Sequence, residues 1–187
     1  MSRRTALKLG LAGLVGVAVG AGSTAAITRL TRSAPPKYFF FTADEAALLI
    51  EICEQLIPGD DTPGARQTGA IHYIDRQLVG VFKRHQQTYR RGLEAFRRTC
   101  VQEHGGTFES LTAAAKIEAL RAIEAGRAPK ELWVDPAPQA FFGLVLAHTM
   151  QSFYGSPRHG GNKDYASYRM LGIDYPPVVG RNRPRKG

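Results

Sequence analysis

The chain has 187 residues, a formal net charge of +9 and two cysteines, enough for one domain with a real core. Cys53 and Cys100 lie in no C-x-x-C or C-x-x-C-H pattern, so a disulfide scaffold, an attached haem and an iron–sulfur ligand set are excluded for this chain. The basic excess suits nucleic acid, anionic lipid or an acidic protein.

Segment 1–30 narrows that choice. Ser2-Arg3-Arg4-Thr5-Ala6-Leu7-Lys8 precedes a glycine-rich apolar run from Leu9 to about Ile27 and reads as a twin-arginine export signal carried by Arg3, Arg4, Leu7 and Lys8. Arg3, Arg4 and Lys8 hold three of the nine net charges, which leaves +6 for the remainder. Export implies the periplasm and the twin-arginine translocase as a partner, and it removes nucleic acid. The same route carries folded cargo, typically because a cofactor has been loaded first. Gly20-Ala21-Gly22-Ser23-Thr24-Ala25 also fits a dinucleotide fingerprint, but no alternation of strand and helix follows it. Roughly 20 apolar residues can span a bilayer, so an uncleaved anchor stands beside cleavage near Ser23-Thr24-Ala25.

Residues 31–41 form a polar, proline-bearing linker that ends in Tyr38-Phe39-Phe40-Phe41, aromatics expected in the core or at an interface. Thr42 and Glu45 form a capping-box pair opening a helix with Leu48, Leu49, Ile52, Leu56 and Ile57 on one face. Pro58-Gly59 ends it. The loop through Arg66 is rich in turn residues, and Asp60-Asp61 is expected to cap the next helix. That helix, Thr68 to Phe82, sets Ile71, Ile74, Leu78, Val81 and Phe82 inward, with His72 beside the face and Asp75 three residues on. The spacing permits a metal or acid–base pair but, with no third ligand evident, reads first as surface or capping roles.

A third helix, His85 to Glu103, carries a Tyr89, Leu93, Phe96, Cys100 stripe, and Arg90, Arg91, Arg97 and Arg98 are expected on its solvated face; Gly105-Gly106 stops it. Thr112 caps a fourth helix, Ala113 to Ala125, buried through Ile117, Leu120 and Ile123. The last long helix, Ala137 to Tyr154, is apolar on nearly all sides and belongs at the centre of a bundle or under a partner. His148 within it reads as a core histidine. No segment alternates with period two, so the fold class is all-α, a small irregular helical bundle over 42–176 with a basic tail at 177–187. Cys53 and Cys100 either pair, stay as two buried free thiols, or leave one to bridge another subunit.

Beyond the last helix come Phe153-Tyr154-Gly155-Ser156-Pro157-Arg158-His159-Gly160-Gly161-Asn162 and then Tyr168-Arg169-Met170-Leu171-Gly172. Glycine, proline and asparagine at these positions make a backbone-defined loop, able to cradle an anion or to dock a partner.

With the twin arginines and the run Leu56-Ile57-Pro58 to Asp61-Thr62-Pro63-Gly64-Ala65, this closing segment resembles the gluconate 2-dehydrogenase subunit 3 family. Two positions depart from the pattern: Tyr168 stands for an expected tryptophan and Ala6 for a phenylalanine after the arginines. The basic end, Arg181 to Lys186, also lies outside it and reads as a disordered tail or a contact with anionic lipid. The resemblance implies a non-catalytic small subunit, binding no cofactor itself, of a sugar or polyol dehydrogenase associated with the inner membrane. Its partners would be a flavoprotein of the glucose-methanol-choline (GMC) type holding FAD and a multihaem cytochrome c subunit holding haem c. The interface expected under this reading comprises Phe39, Phe40 and Phe41, Pro63 and Gly64, and the closing-segment residues Phe153, Tyr154, Gly155, Pro157, Gly160, Gly161 and Asn162. The rival is an independent periplasmic enzyme or metal protein using His72, Asp75, His148, His159 and Asp164, although no HExxH or G-x-S-x-G spacing supports it.

Overall fold

Thr42 does what its position beside Glu45 predicts. In the computed structural model, which describes residues 37–172, its hydroxyl accepts the Glu45 N–H at 3.3 Å and the Glu45 carboxylate accepts the Thr42 N–H at 2.9 Å. Helix α1, Ala43–Leu56, grows from this box and buries Leu48, Leu49, Ile52 and Cys53. Arg3, Arg4, Leu7 and Lys8, and the basic end at 177–187, lie outside the described residues.

The next helix is shorter than its pattern suggests. α2 spans Ala70–Leu78, starting late because the Thr68 hydroxyl donates to the Gly64 carbonyl at 3.0 Å and Gly69 turns the chain at φ +77°. Asp60 does not cap it. Its carboxylate closes its own turn, accepting the Thr62 N–H at 2.8 Å and the Thr62 hydroxyl at 2.9 Å. At the far end the Phe82 N–H reaches back to Gln77 O at 2.8 Å, so the chain reverses before the predicted end. Val81, expected on the inner face, is consequently exposed.

A short 3-10 turn, Lys83–His85, leads into α3, Gln86–His104. The expected Tyr89, Leu93, Phe96, Cys100 stripe is fully buried, and Gly105 at φ +72° ends the helix. Thr112 caps α4, Ala113–Glu124, by accepting the Ala115 N–H at 3.3 Å. α4 buries Leu120 and Ile123, but Ile117 faces solvent, against expectation.

α5, Pro138–Tyr154, touches every other described helix, including the closing α6, Ala166–Met170. Its inner side chains Phe141, Val145, His148, Thr149 and Phe153 fill the centre, each large apolar one contributing about 1.5–3 kcal/mol by burial. The burial is one-sided, however. Ala140, Gly143, Ala147 and Met150 lie open on the opposite face. Where α3 crosses α5, a Cβ on Gly92 would lie 2.1 Å from the Phe141 ring, so the missing side chain sets how closely the two helices approach. The described helices belong to one compact unit that begins at Tyr38, and among the described residues there is no strand. The all-α expectation holds.

Candidate functional site

The aromatic segment at 38–41 is held by backbone, through a residue from another helix. The carboxylate of buried Asp75 on α2 accepts the N–H groups of Phe39 at 2.7 Å, Phe40 at 2.9 Å and Phe41 at 3.1 Å. Three successive donors satisfied by one carboxylate make a nest that engages both Asp75 oxygens. Arg90 fixes the same segment from α3: it pairs with Glu45, donates to the Phe40 carbonyl at 2.6 Å and lies 4.3 Å over the Phe40 ring. Arg90 is therefore a structural clamp, not a solvated charge. Burial works against the Glu45 carboxylate, but hydrogen bonds from Thr42 and Arg90 hold its pKa below the usual value. Of the aromatics, Tyr38 and Phe41 are core, Phe40 is half-buried and Phe39 is 74% exposed.

His148 is enclosed between flat partners. Its ring stacks on Phe82 at 4.1 Å, His85 approaches edge-on at 5.6 Å, and its Nδ1 lies 3.0 Å from the Tyr89 hydroxyl. Burial, with added repulsion from His85 and Arg84, lowers its pKa to about 4. The neutral ring is thus the resident form near pH 7. The sequence reading of His148 as a core histidine omitted His85. That residue was legible in the Phe82, His85, Tyr89 spacing, which puts all three on one side of a helical turn.

The other polar candidates do not converge. His72 is exposed and stacks on Tyr38 at 5.9 Å; exposed His159 receives the Arg158 guanidinium at 3.0 Å; Asp164 is exposed, its carbonyl accepting from Arg169. Among the described residues no group of three or more His, Cys, Asp or Glu is placed to hold a metal ion. Cys53 and Cys100 are separate, buried free thiols, so the structure does not contain the disulfide considered from sequence. Cys53 lies 3.2 Å from the Thr149 hydroxyl, and burial pushes both thiol pKa values up to about 12.

The segments around Pro63-Gly64 and Gly160-Gly161-Asn162, far apart in sequence, meet in space. Thr68, hydrogen-bonded to Gly64 O, accepts the Lys163 N–H on its own carbonyl at 3.0 Å, and a Cβ on Gly69 would stand 3.6 Å from Gly160 O. Asn162 locks the closing loop from inside. Its amide donates to Gly155 O at 2.9 Å and its carbonyl accepts the Ser167 N–H at 2.9 Å, which offsets its left-handed φ of +43°. Gly161 has no room for a side chain, since a Cβ would fall 2.5 Å from the Ser152 carbonyl. Gly64 is as tight, its Cβ position lying 2.3 Å from Gly59 N. Gly64 and Gly161 are there for close packing, whereas Gly160 supplies a left-handed φ of +100°.

These segments lie within a longer stretch, residues 43–174, matched by the family described as gluconate 2-dehydrogenase subunit 3. The chain belongs to that family. No curated protein and no solved structure matches it. A subunit 3 protein is by description one part of a gluconate 2-dehydrogenase assembly, so the family implies a partner chain. For this subunit 3 chain, the residues expected at an interface divide in two. Phe41, Gly64, Phe153, Gly161 and Asn162 are buried within the chain and shape the surface from below. Phe39 and Tyr154 stand on it, with Phe40, Pro63, Gly155, Pro157 and Gly160 half-buried beside them.

Proposed function

We propose that this chain is the non-catalytic small subunit of a periplasmic, membrane-associated FAD-dependent sugar or polyol dehydrogenase, escorting a GMC-type flavoprotein through the twin-arginine translocase and stabilising it. The family match over residues 43–174 carries the reading. The Arg3-Arg4 motif supplies the export address, and the FAD and haem c belong to the partner subunits. Exposed Phe39, Met150 and Tyr154, with the open Ala140, Gly143, Ala147 side of α5, give apolar surface of the kind a permanent partner covers.

The test is co-purification from the native host. The tagged chain is expressed with its candidate flavoprotein, with and without Arg3→Lys and Arg4→Lys, and flavin and dye-linked dehydrogenase activity are assayed in the periplasmic membrane fraction. The expected result is a stoichiometric pair, with active flavoprotein stranded in the cytoplasm by the double substitution. Flavoprotein that reaches the periplasm regardless, with nothing on the tag, overturns the proposal.

A further inference from the structure

α3 turns its Tyr89, Leu93, Phe96 and Cys100 side into the core, so its outer side meets whatever the adjacent 129–137 loop leaves open. An open groove of about 380 Å³ runs there, with Arg91 and Arg98 on the helix wall and Leu132, Val134 and Asp135 on the loop wall. A second hollow of about 290 Å³, lined by Arg97, Arg98, Val101 and Leu132, continues it. The two share Arg98 and Leu132. From Arg90 to Gln102 the helix wall extends about 18 Å at 1.5 Å per residue, enough for five or six residues of extended chain.

The loop wall is rigid where it matters. Trp133 is buried and its indole N–H donates to the Thr99 hydroxyl at 2.9 Å, which passes the bond to Ala95 O at 2.9 Å. Anchored by that neighbour, Val134 is nevertheless 87% exposed, and Val101 on the helix wall is 52% exposed. The cations are available too. Arg98 has no ion-pair partner among the described residues. Among the described residues Arg91 pairs with Asp135 alone, both more than half exposed, a contact worth about 0–1 kcal/mol that another carboxylate can replace.

We propose that this groove docks an acidic segment of the flavoprotein partner, seating an apolar side chain against Leu132 and Val134 and carboxylates on Arg91 and Arg98. The inference rests on the small-subunit reading and adds the location and chemistry of a contact. Charge complementarity selects the occupant: arginine forks bind carboxylates in two-point geometry, and Leu132 and Val134 on the facing loop wall offer apolar contact to a side chain. An anionic bilayer fits less well. The groove is concave and admits a chain segment rather than a flat lipid surface.

The test uses the full chain co-expressed with the flavoprotein. Wild type is compared with Arg91→Glu/Arg98→Glu, with Val134→Asp and with Arg76→Glu on α2 as a surface control, folding being checked by circular dichroism. Affinity of the purified pair should fall about tenfold or more in the first two variants, equivalent to about 1.4 kcal/mol or more, and stay unchanged in the control. Wild-type affinity should fall with salt, and a photo-crosslinker at position 134 should label an acidic stretch of the flavoprotein, a readout independent of the variants' folding. A pair that forms with unchanged affinity in both groove variants, or a crosslink at 134 to no acidic stretch, overturns the groove and leaves the small-subunit reading standing. If wild type binds no flavoprotein, the small-subunit reading fails and takes the groove with it. Retained flavoprotein binding together with loss of binding to phosphatidylglycerol vesicles in Arg91→Glu/Arg98→Glu makes the groove a lipid contact and also overturns the proposal.

Discussion

The Tyr89 hydroxyl and His148 Nδ1 lie 3.0 Å apart in the centre of the molecule. Their environment makes stability depend on pH. Burial lowers the folded His148 pKa to about 4, beneath the roughly 6.5 of an unfolded histidine, so between those values the unfolded chain binds more protons. Stability from this residue is therefore full above about pH 6.5 and is lost as pH falls toward 4, by up to about 3 kcal/mol. Urea melts across that range should show the decline, and His148→Gln should flatten it. An unchanged slope in the variant would assign the decline to other groups.

Asp75 predicts a large structural effect from one carboxylate. In Asp75→Ala, three backbone N–H groups lose their acceptor, two of them in part-buried positions and one buried. The cost should be about 3–5 kcal/mol. Asp75→Asn, which keeps the shape but not the charge, should cost about half as much. Hydrogen exchange at Phe39 to Phe41 should accelerate selectively in both variants. Equal exchange rates in wild type and Asp75→Ala would refute the nest.

Gly92→Ala tests the α3–α5 crossing. The added methyl would meet the Phe141 ring at 2.1 Å, so the helices must part or the ring must leave its rotamer, at about 1–3 kcal/mol. Pairing it with Phe141→Leu should recover part of the loss. A thermal midpoint unchanged in Gly92→Ala would show that the helices are looser here than the distance implies.

Gly161→Ala and Asn162→Ala act on the closing loop. The first drives a methyl against the Ser152 carbonyl and the second removes two hydrogen bonds together with the support for a positive φ. Each should destabilise by about 2 kcal/mol or more and speed proteolysis after Tyr154. Asn162→Gly, which regains the conformation but not the bonds, should fall between wild type and Asn162→Ala.

The two cysteines predict slow chemistry. With both thiols buried and their pKa values raised to about 12, native protein at pH 8 should resist iodoacetamide, and both should react once the chain unfolds. Rapid native labelling of either would contradict its burial.

Much of the molecule is readable from local pattern. Thr42 with Glu45, Thr112, and the glycines at 105 and 155 mark helix ends because capping depends on residues a few positions apart. The Leu48, Leu49, Ile52 and Tyr89, Leu93, Phe96 faces follow from the 3.6-residue period. These local rules determined the all-α class and the main helices, while the family followed from the resemblance of whole segments, Leu56 to Ala65 and Phe153 to Asn162, and from the match over residues 43–174. What they could not determine is which residue answers which across the chain. Asp75 read from sequence as a surface or capping residue, with a metal or acid–base pair with His72 as the lesser alternative, and only the fold brought Phe39 to Phe41 to it from 34 to 36 positions away. Arg90 looked solvated until Glu45 and Phe40 arrived. The end of α2 was misplaced because the chain reversal at Gly80 exposes a Val81 that period alone would bury. Only tertiary structure decides such matters, because a buried carboxylate or guanidinium takes its role from the donors and acceptors that packing brings within about 3 Å, whatever their distance in sequence.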